Sequence, residues 1–323
     1  VIVHLRITLH ASFKFPSSIC HPLSAILRGV QFRKITIVGV GLLGGSIGLA
    51  IRQRGLAHEV AGFVRRAATL KECERVGAVD YAVTDLLAAV SNADLVILCT
   101  PLAQMPALAR QILPALKHGA IVTDVGSVKA GIVCELEPII AQAGAHFVGS
   151  HPMAGGEKTG VLAARADLFE NAVCVVTPTK KSNSTAVRKL ETFWKSLGAR
   201  ALRLAAGEHD RLVSRSSHLP HVVAATLAGL VLDPKQPKAQ AGLCATGFRD
   251  TTRIASGSPE MWRDIALANR KNLSQSVDAF VAELKRFQSA LKKSDGNAVE
   301  EFFATAKARR DKWCASSTST SSE

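Results

Sequence analysis

Aromatic residues are scarce in this 323-residue chain, which has twelve Phe, three Trp and a single Tyr. Forty Lys and Arg against 26 Asp and Glu give a formal net charge of +14, yet the cations form no stripe interleaved with aromatics. Stacking platforms for nucleic acid need both features, so no nucleic-acid partner is expected. Long apolar runs are missing too. The longest in the second half, residues 222–232, is interrupted by Thr226 and Gly229 and falls far short of the roughly 20 residues that span a bilayer, so no membrane span is expected. The seven cysteines (20, 73, 99, 134, 174, 244 and 314) contain no C-x-x-C pair and no regular framework. Such usage fits a reducing cytosol and a cytoplasmic protein.

Acidic residues are absent from positions 1–34, which hold Arg6, Lys14, Arg28, Arg33 and Lys34. In composition this stretch is similar to an organellar transit segment, but it shows no amphipathic face. Residues 1–32 are therefore expected to be a leader, either disordered or an over-extended start. The remaining positive charge is dispersed in small clusters such as Arg65-Arg66, Lys180-Lys181 and Arg309-Arg310. A dispersed positive field suits an anionic metabolite and an anionic cofactor.

What is present is the profile of a globular protein, 47% hydrophobic and 20% charged, with length enough for two domains. Strand and helix patterns alternate up to about residue 205. Lys34–Val38 is a β-branched strand, residues 47–54 have helical spacing closed by Gly55, and Glu59–Val64 is a second strand. A helix over 68–76 precedes residues 93–101, a nearly all-apolar run of the kind buried on both faces of a parallel sheet. A helix over 106–116, a strand over 120–125 and strands over 146–149 and 172–177 follow. Short connections between alternating elements imply right-handed βαβ units and a doubly wound sheet. From about Gly207 the alternation stops, and residues 212–232, 260–290 and 299–312 carry helical spacing. The expected organisation is a leader (1–32), a Rossmann dinucleotide-binding domain (33–205), an all-helical substrate and dimerisation domain (206–315) and a disordered tail (316–323).

Gly39-x-Gly41-x-x-Gly44 follows a strand and opens a helix. The first glycine permits the turn, the second lets the backbone approach a pyrophosphate, and the third packs helix on strand. Leu42 and Leu43 complete that loop, and Thr100 and Pro101, at the end of the all-apolar strand, face the same ligand edge. About twenty residues beyond the glycines a carboxylate would normally receive the adenosine ribose. Here the chain reads Gly62-Phe63-Val64-Arg65-Arg66. Arg65 and Arg66 are suited to a 2′-phosphate, which favours NADP and leaves NAD possible; a solvated basic loop is the alternative.

His151, in Gly149-Ser150-His151-Pro152-Met153-Ala154-Gly155-Gly156-Glu157, stands after an apolar stretch in what reads as a tight turn. A titratable imidazole there can accept the proton of an alcohol being oxidised; a turn histidine bonded to local backbone is the alternative. Ser127, after the strand ending at Val125, can donate to nicotinamide, substrate or His151, or can cap the next helix. His218 and His221 lie three apart at the start of a long helix. No carboxylate or Cys set completes a metal site, so no metal is expected and a polar contact to substrate is the preferred role. Arg249, Arg253 and Arg263 stand among small polar residues beside Trp262. Arginine there suits bidentate carboxylate recognition, with an ion pair to Asp250 or Asp264 as the structural alternative.

Taken in order, Gly39–Ser46, Asp124–Lys129, Gly149–Gly160, Ser217–His221, Gly247–Arg253 and Met261–Asp264 resemble the prephenate dehydrogenase family, which includes arogenate and cyclohexadienyl dehydrogenases. The resemblance covers about residues 34–312. It implies oxidative decarboxylation of prephenate to 4-hydroxyphenylpyruvate in tyrosine biosynthesis, with arogenate as the alternative substrate, by a homodimer. By the same resemblance His151 matches the catalytic histidine, Ser127 the serine that orients it, and Arg253 the arginine holding a substrate carboxylate. His221, Gly156, Glu157, Arg249 and Trp262 match pocket positions. The chain departs from NAD-preferring members at Val64-Arg65, where they carry an acid, and has Arg249 where some carry Lys. A β-hydroxyacid dehydrogenase would need a catalytic lysine on a second-domain helix, and none stands out. A non-catalytic NADP-sensing protein would bind nucleotide without turnover.

Overall fold

The computed structural model describes residues 32–319 apart from Glu157; the expected leader up to residue 31 lies outside the described residues. The first half alternates strand and helix: β1 (Phe32–Val38), α1 (Leu42–Arg54), β2 (Ala57–Phe63), α2 (Leu70–Val76), β3 (Tyr81–Val83), α3 (Leu86–Val90), β4 (Leu95–Leu98), α4 (Met105–Ile112), β5 (Ile121–Asp124), α5 (Ala130–Ala141) and β6 (His146–Phe147). All six strands are parallel, in the order β3-β2-β1-β4-β5-β6. The order reverses between β1 and β4, and that switch point opens a crevice at the carboxyl ends of the strands.

Burial explains why the sheet forms. In β4 every side chain is buried, with Leu95 and Ile97 in one core and Val96 and Leu98 in the other. Each such side chain contributes about 1.5–3 kcal/mol on leaving water. Helix α1 ends at Gly55, whose φ of 62° lies in the left-handed region expected of a helix-terminating glycine.

Three features of the strand-bearing half differ from the expectations. Residues 146–149 do not form one strand: β6 closes the parallel sheet, and β7 (Gly149–Pro152) starts a second sheet with β8 (Val173–Thr177) and β9 (Arg200–Arg203). His151 is therefore a strand residue paired across to Val175, not a turn residue. Pro152 is tolerated because β7 is an edge strand, where a missing N–H breaks no inner ladder. The short strand β3 and the exposed strand β9, whose sequence Arg-Ala-Leu-Arg lacks an apolar face, gave no strand signal.

The second half is helical. Helix α6 (Ser184–Ser196) precedes β9, and α7 (Ala206–Val213), a π-turn over Ser214–His218 and α8 (Leu219–Val231) then run as one rod. Pro220 sits in the first turn of α8, and a prolyl nitrogen cannot donate, so the locally widened turn accommodates the lost hydrogen bond. Helices α9 (Lys238–Gly242), α10 (Thr246–Thr252), α11 (Pro259–Ala268), α12 (Arg270–Lys292) and α13 (Gly296–Ser319) complete the chain. The helix expected over 260–290 is broken at Asn269, and α13 runs to Ser319 rather than fraying after Ala315. No described helix is long and apolar enough to cross a membrane.

Candidate active site

The glycine loop between β1 and α1 is built to take an anion. Gly39 has φ +100°, where side chains are strained, and a Cβ on it would lie 2.8 Å from the Cys99 carbonyl oxygen. A Cβ on Gly44 would collide with the Gly39 carbonyl, whereas one on Gly41 would meet only open space. Gly41 is the N-cap of α1, no side chain caps the helix, and its first turn holds no acid. The helix N–H groups therefore face that space with their favourable dipole. Thr100 Oγ1, at the end of β4, is buried without a hydrogen-bond partner, while Pro101 is exposed and opens the turn Leu102–Gln104. Leu42 and Leu43 pack on the core, and Gly156 faces Leu42 from the loop after β7. An uncapped helix start, open space where a Cβ would sit and an orphaned hydroxyl together fit a dinucleotide.

The end of β2 borders this loop, since Gly39 N–H donates to the Phe63 carbonyl at 3.0 Å. Val64 is buried, and the next two residues, Arg65 and Arg66, are exposed on that edge.

His151 is 7% exposed. Its Nδ1 lies 2.9 Å from His209 Nε2, and His209 Nδ1 lies 2.8 Å from Asp210 Oδ1. Asp210 is itself anchored, accepting from Lys129 N–H at 2.7 Å and Ala130 N–H at 2.8 Å at the start of α5. That contact removes the capping role considered for Ser127, because α5 is capped from α7 instead. Below His151, Lys129 and Asp124 form a fully buried ion pair, and Lys129 Nζ also donates to the Ser150 carbonyl at 2.9 Å. Burial holds the His151 imidazole well below its ordinary range of about 6.5, and His209, the Lys129 ammonium and His218 push in the same direction. The ring is thus neutral, the form a proton acceptor requires.

The helical half closes the site from the other side. His218 is buried in the π-turn; its Nδ1 meets Asn269 Nδ2 at 3.1 Å, and the ring also faces the Ser127 carbonyl without a well-formed hydrogen bond at Nε2. Burial pushes His218 down to about 4. His221 is half-buried and stacks on Trp262 with ring centroids 3.6 Å apart. Its Nδ1 donates to the Ser217 carbonyl at 2.9 Å, which leaves Nε2 as an acceptor. Arg249 lies on α10, and Arg253 starts the turn Arg253–Ser256 that packs on α8, the helix bearing His221. Both arginines are exposed. Arg263 pairs with Asp264 at 2.8 Å, the structural alternative. Glu157 lies outside the described residues.

Residues that sequence reasoning left without a role make up much of the site: Asp124 and Lys129, which it held only as the ends of a motif, and His209, Asp210 and Asn269, which it passed over. Glu208-His209-Asp210-Arg211 reads as a solvated helical face, and no spacing in the sequence announces that His209 is fully buried.

Two family models match the chain in succession. The nucleotide-binding domain of prephenate dehydrogenase matches residues 47–203 and the dimerization domain of prephenate dehydrogenase residues 205–306. Prephenate dehydrogenase of Bacillus subtilis is 35% identical over 86% of this chain and 75% of its own length. Cyclohexadienyl dehydrogenase of Zymomonas mobilis is 33% identical over 84% of this chain and 93% of its own. Among solved structures, prephenate dehydrogenase from A. aeolicus in complex with hydroxyphenyl propionate and NAD+ superposes with a TM-score of 0.81 at 30% identity, covering 87% of this chain and 98% of that one. With a doubly wound sheet, a helical second half and an ordered set of motifs shared across both, the chain belongs to the prephenate dehydrogenase family.

Proposed function

We propose that this chain is an NAD(P)-dependent prephenate dehydrogenase, converting prephenate to 4-hydroxyphenylpyruvate and carbon dioxide in tyrosine biosynthesis. The observation that carries this reading is His151, a neutral buried imidazole on β7, the strand whose following loop sets Gly156 against Leu42 of the glycine loop. His151 Nε2 accepts the proton of the ring C4 hydroxyl. The oxidised nicotinamide, when bound, supplies the hydride acceptor for C4. The ring carboxylate then leaves as carbon dioxide, and aromatisation makes that loss favourable. Ser127 orients hydroxyl and imidazole, Arg253 holds a substrate carboxylate, and His221, Trp262, Arg249, Gly156 and Glu157 line the pocket. Residues 33–205 form the nucleotide half and 206–315 the substrate and dimerisation half, in a cytoplasmic enzyme.

Steady-state kinetics with prephenate and arogenate, each with NAD+ and NADP+, test the assignment. Formation of reduced nucleotide with prephenate is the expected result. Nucleotide binding without turnover of either substrate would point to a sensor instead, and turnover of arogenate alone would make the chain an arogenate dehydrogenase, a reading the cyclohexadienyl relative keeps in view.

The cofactor preference follows from Arg65 and Arg66. A charge-assisted contact to a 2′-phosphate is worth about 1.5–3 kcal/mol, so NADP is expected to exceed NAD by roughly tenfold or more in kcat/KM. Replacing both arginines by Ala should erase that preference through KM for NADP, with kcat little changed. A wild type that already prefers NAD would leave the arginines as a solvated loop.

The helical half exposes Leu230, Leu232, Leu243 and Phe303, and apolar helix faces of this extent call for a partner surface. A homodimer is the expected state. Light scattering that finds only monomer across the working concentration range would refute it.

A further inference from the structure

We infer that His209 and Asp210 act behind His151 as a relay that fixes which of its nitrogens is the base. This rests on His151 being the proton acceptor and on His209 holding a single proton, from which the donors in the chain follow. Asp210 already receives two backbone N–H groups from the start of α5, so its carboxylate is an acceptor toward His209. His209 Nδ1 must therefore carry the proton in the 2.8 Å contact to Asp210 Oδ1. A neutral His209 then has a bare lone pair at Nε2, and the 2.9 Å contact requires His151 Nδ1 to be the donor. What remains on His151 is an unprotonated Nε2, the lone pair that the reaction needs.

The same chain disposes of the proton once it arrives. When His151 Nε2 takes a proton, the ring becomes an imidazolium whose Nδ1–H points at His209 Nε2. Transfer of that proton to His209 leaves His151 neutral, with its proton now on Nε2, and moves the positive charge to the ring that touches the Asp210 carboxylate. Atoms and charge balance with no added reactant. The charge is also moved off the ring whose imidazolium form Lys129 opposes. Lys129 is paired with Asp124, and its backbone N–H is one of the two that hold Asp210. The turn after β5 thus sets both ends of the relay. His209 and Asp210 are 0% and 2% exposed, so water does not compete for these bonds.

His209 and Asp210 are positioning residues, and three substitutions separate this role from a structural one. Asp210→Ala leaves the His209 Nδ1 proton without its acceptor, so His209 can carry that proton on Nε2 instead, which turns His151 Nδ1 into an acceptor and leaves the proton on His151 Nε2. Losing tautomer control in a Ser-His-Asp triad costs about 10⁴-fold in kcat, and a loss of about 10²-fold or more is expected here, with KM for the nucleotide within about threefold. His209→Gln carries a donor for Asp210 and an acceptor for His151 Nδ1, so it preserves the tautomer without carrying the proton. It should lose about tenfold and retain at least tenfold more activity than His209→Ala. If Asp210→Ala fails to fold because α5 loses its cap, the Gln and Ala variants of His209 decide. Equal kcat for those two at equal melting temperature overturns the relay, as does wild-type kcat in Asp210→Ala. A dead His151→Asn beside fully active His209 variants would overturn the relay alone, whereas wild-type kcat in His151→Asn would overturn the assignment of the base itself.

Discussion

His151→Asn is expected to lower kcat by roughly 10²–10⁴-fold while leaving KM for the nucleotide within about threefold. Asparagine carries an amide that can still donate toward His209 Nε2, so the surrounding bonds survive, but it has no lone pair basic enough to take a hydroxyl proton. The nucleotide loop is a separate element, built from β1 and α1, and the substitution leaves it intact. The wild-type pH profile follows from the direction of the His151 shift. A base held well below 6.5 is already unprotonated near neutrality, so kcat/KM should be flat there and fall only on the acid side. The same shift links to stability. The unfolded chain binds this proton more readily than the folded one, so the stabilisation from a neutral His151 is present above about pH 6.5 and is lost as pH falls toward the folded value. Wild-type kcat in the Asn variant would show that the proton leaves by another route.

Arg253→Ala is expected to raise KM for prephenate by roughly 10–100-fold, with KM for the nucleotide nearly unchanged. A hydrogen bond to a charged group contributes about 1.5–3 kcal/mol, and each 1.4 kcal/mol is about tenfold. The exposure of Arg253 places the effect in this range rather than at the larger cost of breaking a buried pair. Lysine at 253 should recover only part of the loss, since a point charge cannot reproduce bidentate contact. Equal rises in both KM values would instead mark Arg253 as a structural residue of the turn that packs on α8.

Much of this architecture was legible in the chain itself. Local signals sufficed for the glycine loop, because its turn, its flanking strand and its helix are all set by neighbouring residues. They sufficed for β4 as well, whose uninterrupted apolar run has no other stable place than a sheet covered on both faces. The change from alternating strands to helices near residue 205 was equally plain, as hydrophobic period is a property of short windows. The roles proposed for His151, Ser127, His221, Trp262 and Arg253 come from motif order.

The environment of His151 was not legible. Its partner His209 is 58 positions away, the carboxylate that orients His209 is bound by N–H groups 80 and 81 positions back, and Asn269 reaches His218 across 51. Each residue looks ordinary in its own segment, and Pro152 even argued against the strand in which His151 lies. The amino-acid sequence by itself determined that this chain folds as a dinucleotide-binding sheet followed by a helical half, because secondary-structure period and turn chemistry are local. Only the tertiary structure decided which nitrogen of His151 meets His209, because burial and hydrogen-bond partners depend on groups that come together only when the β5–α5 turn, β7 and α7 are packed.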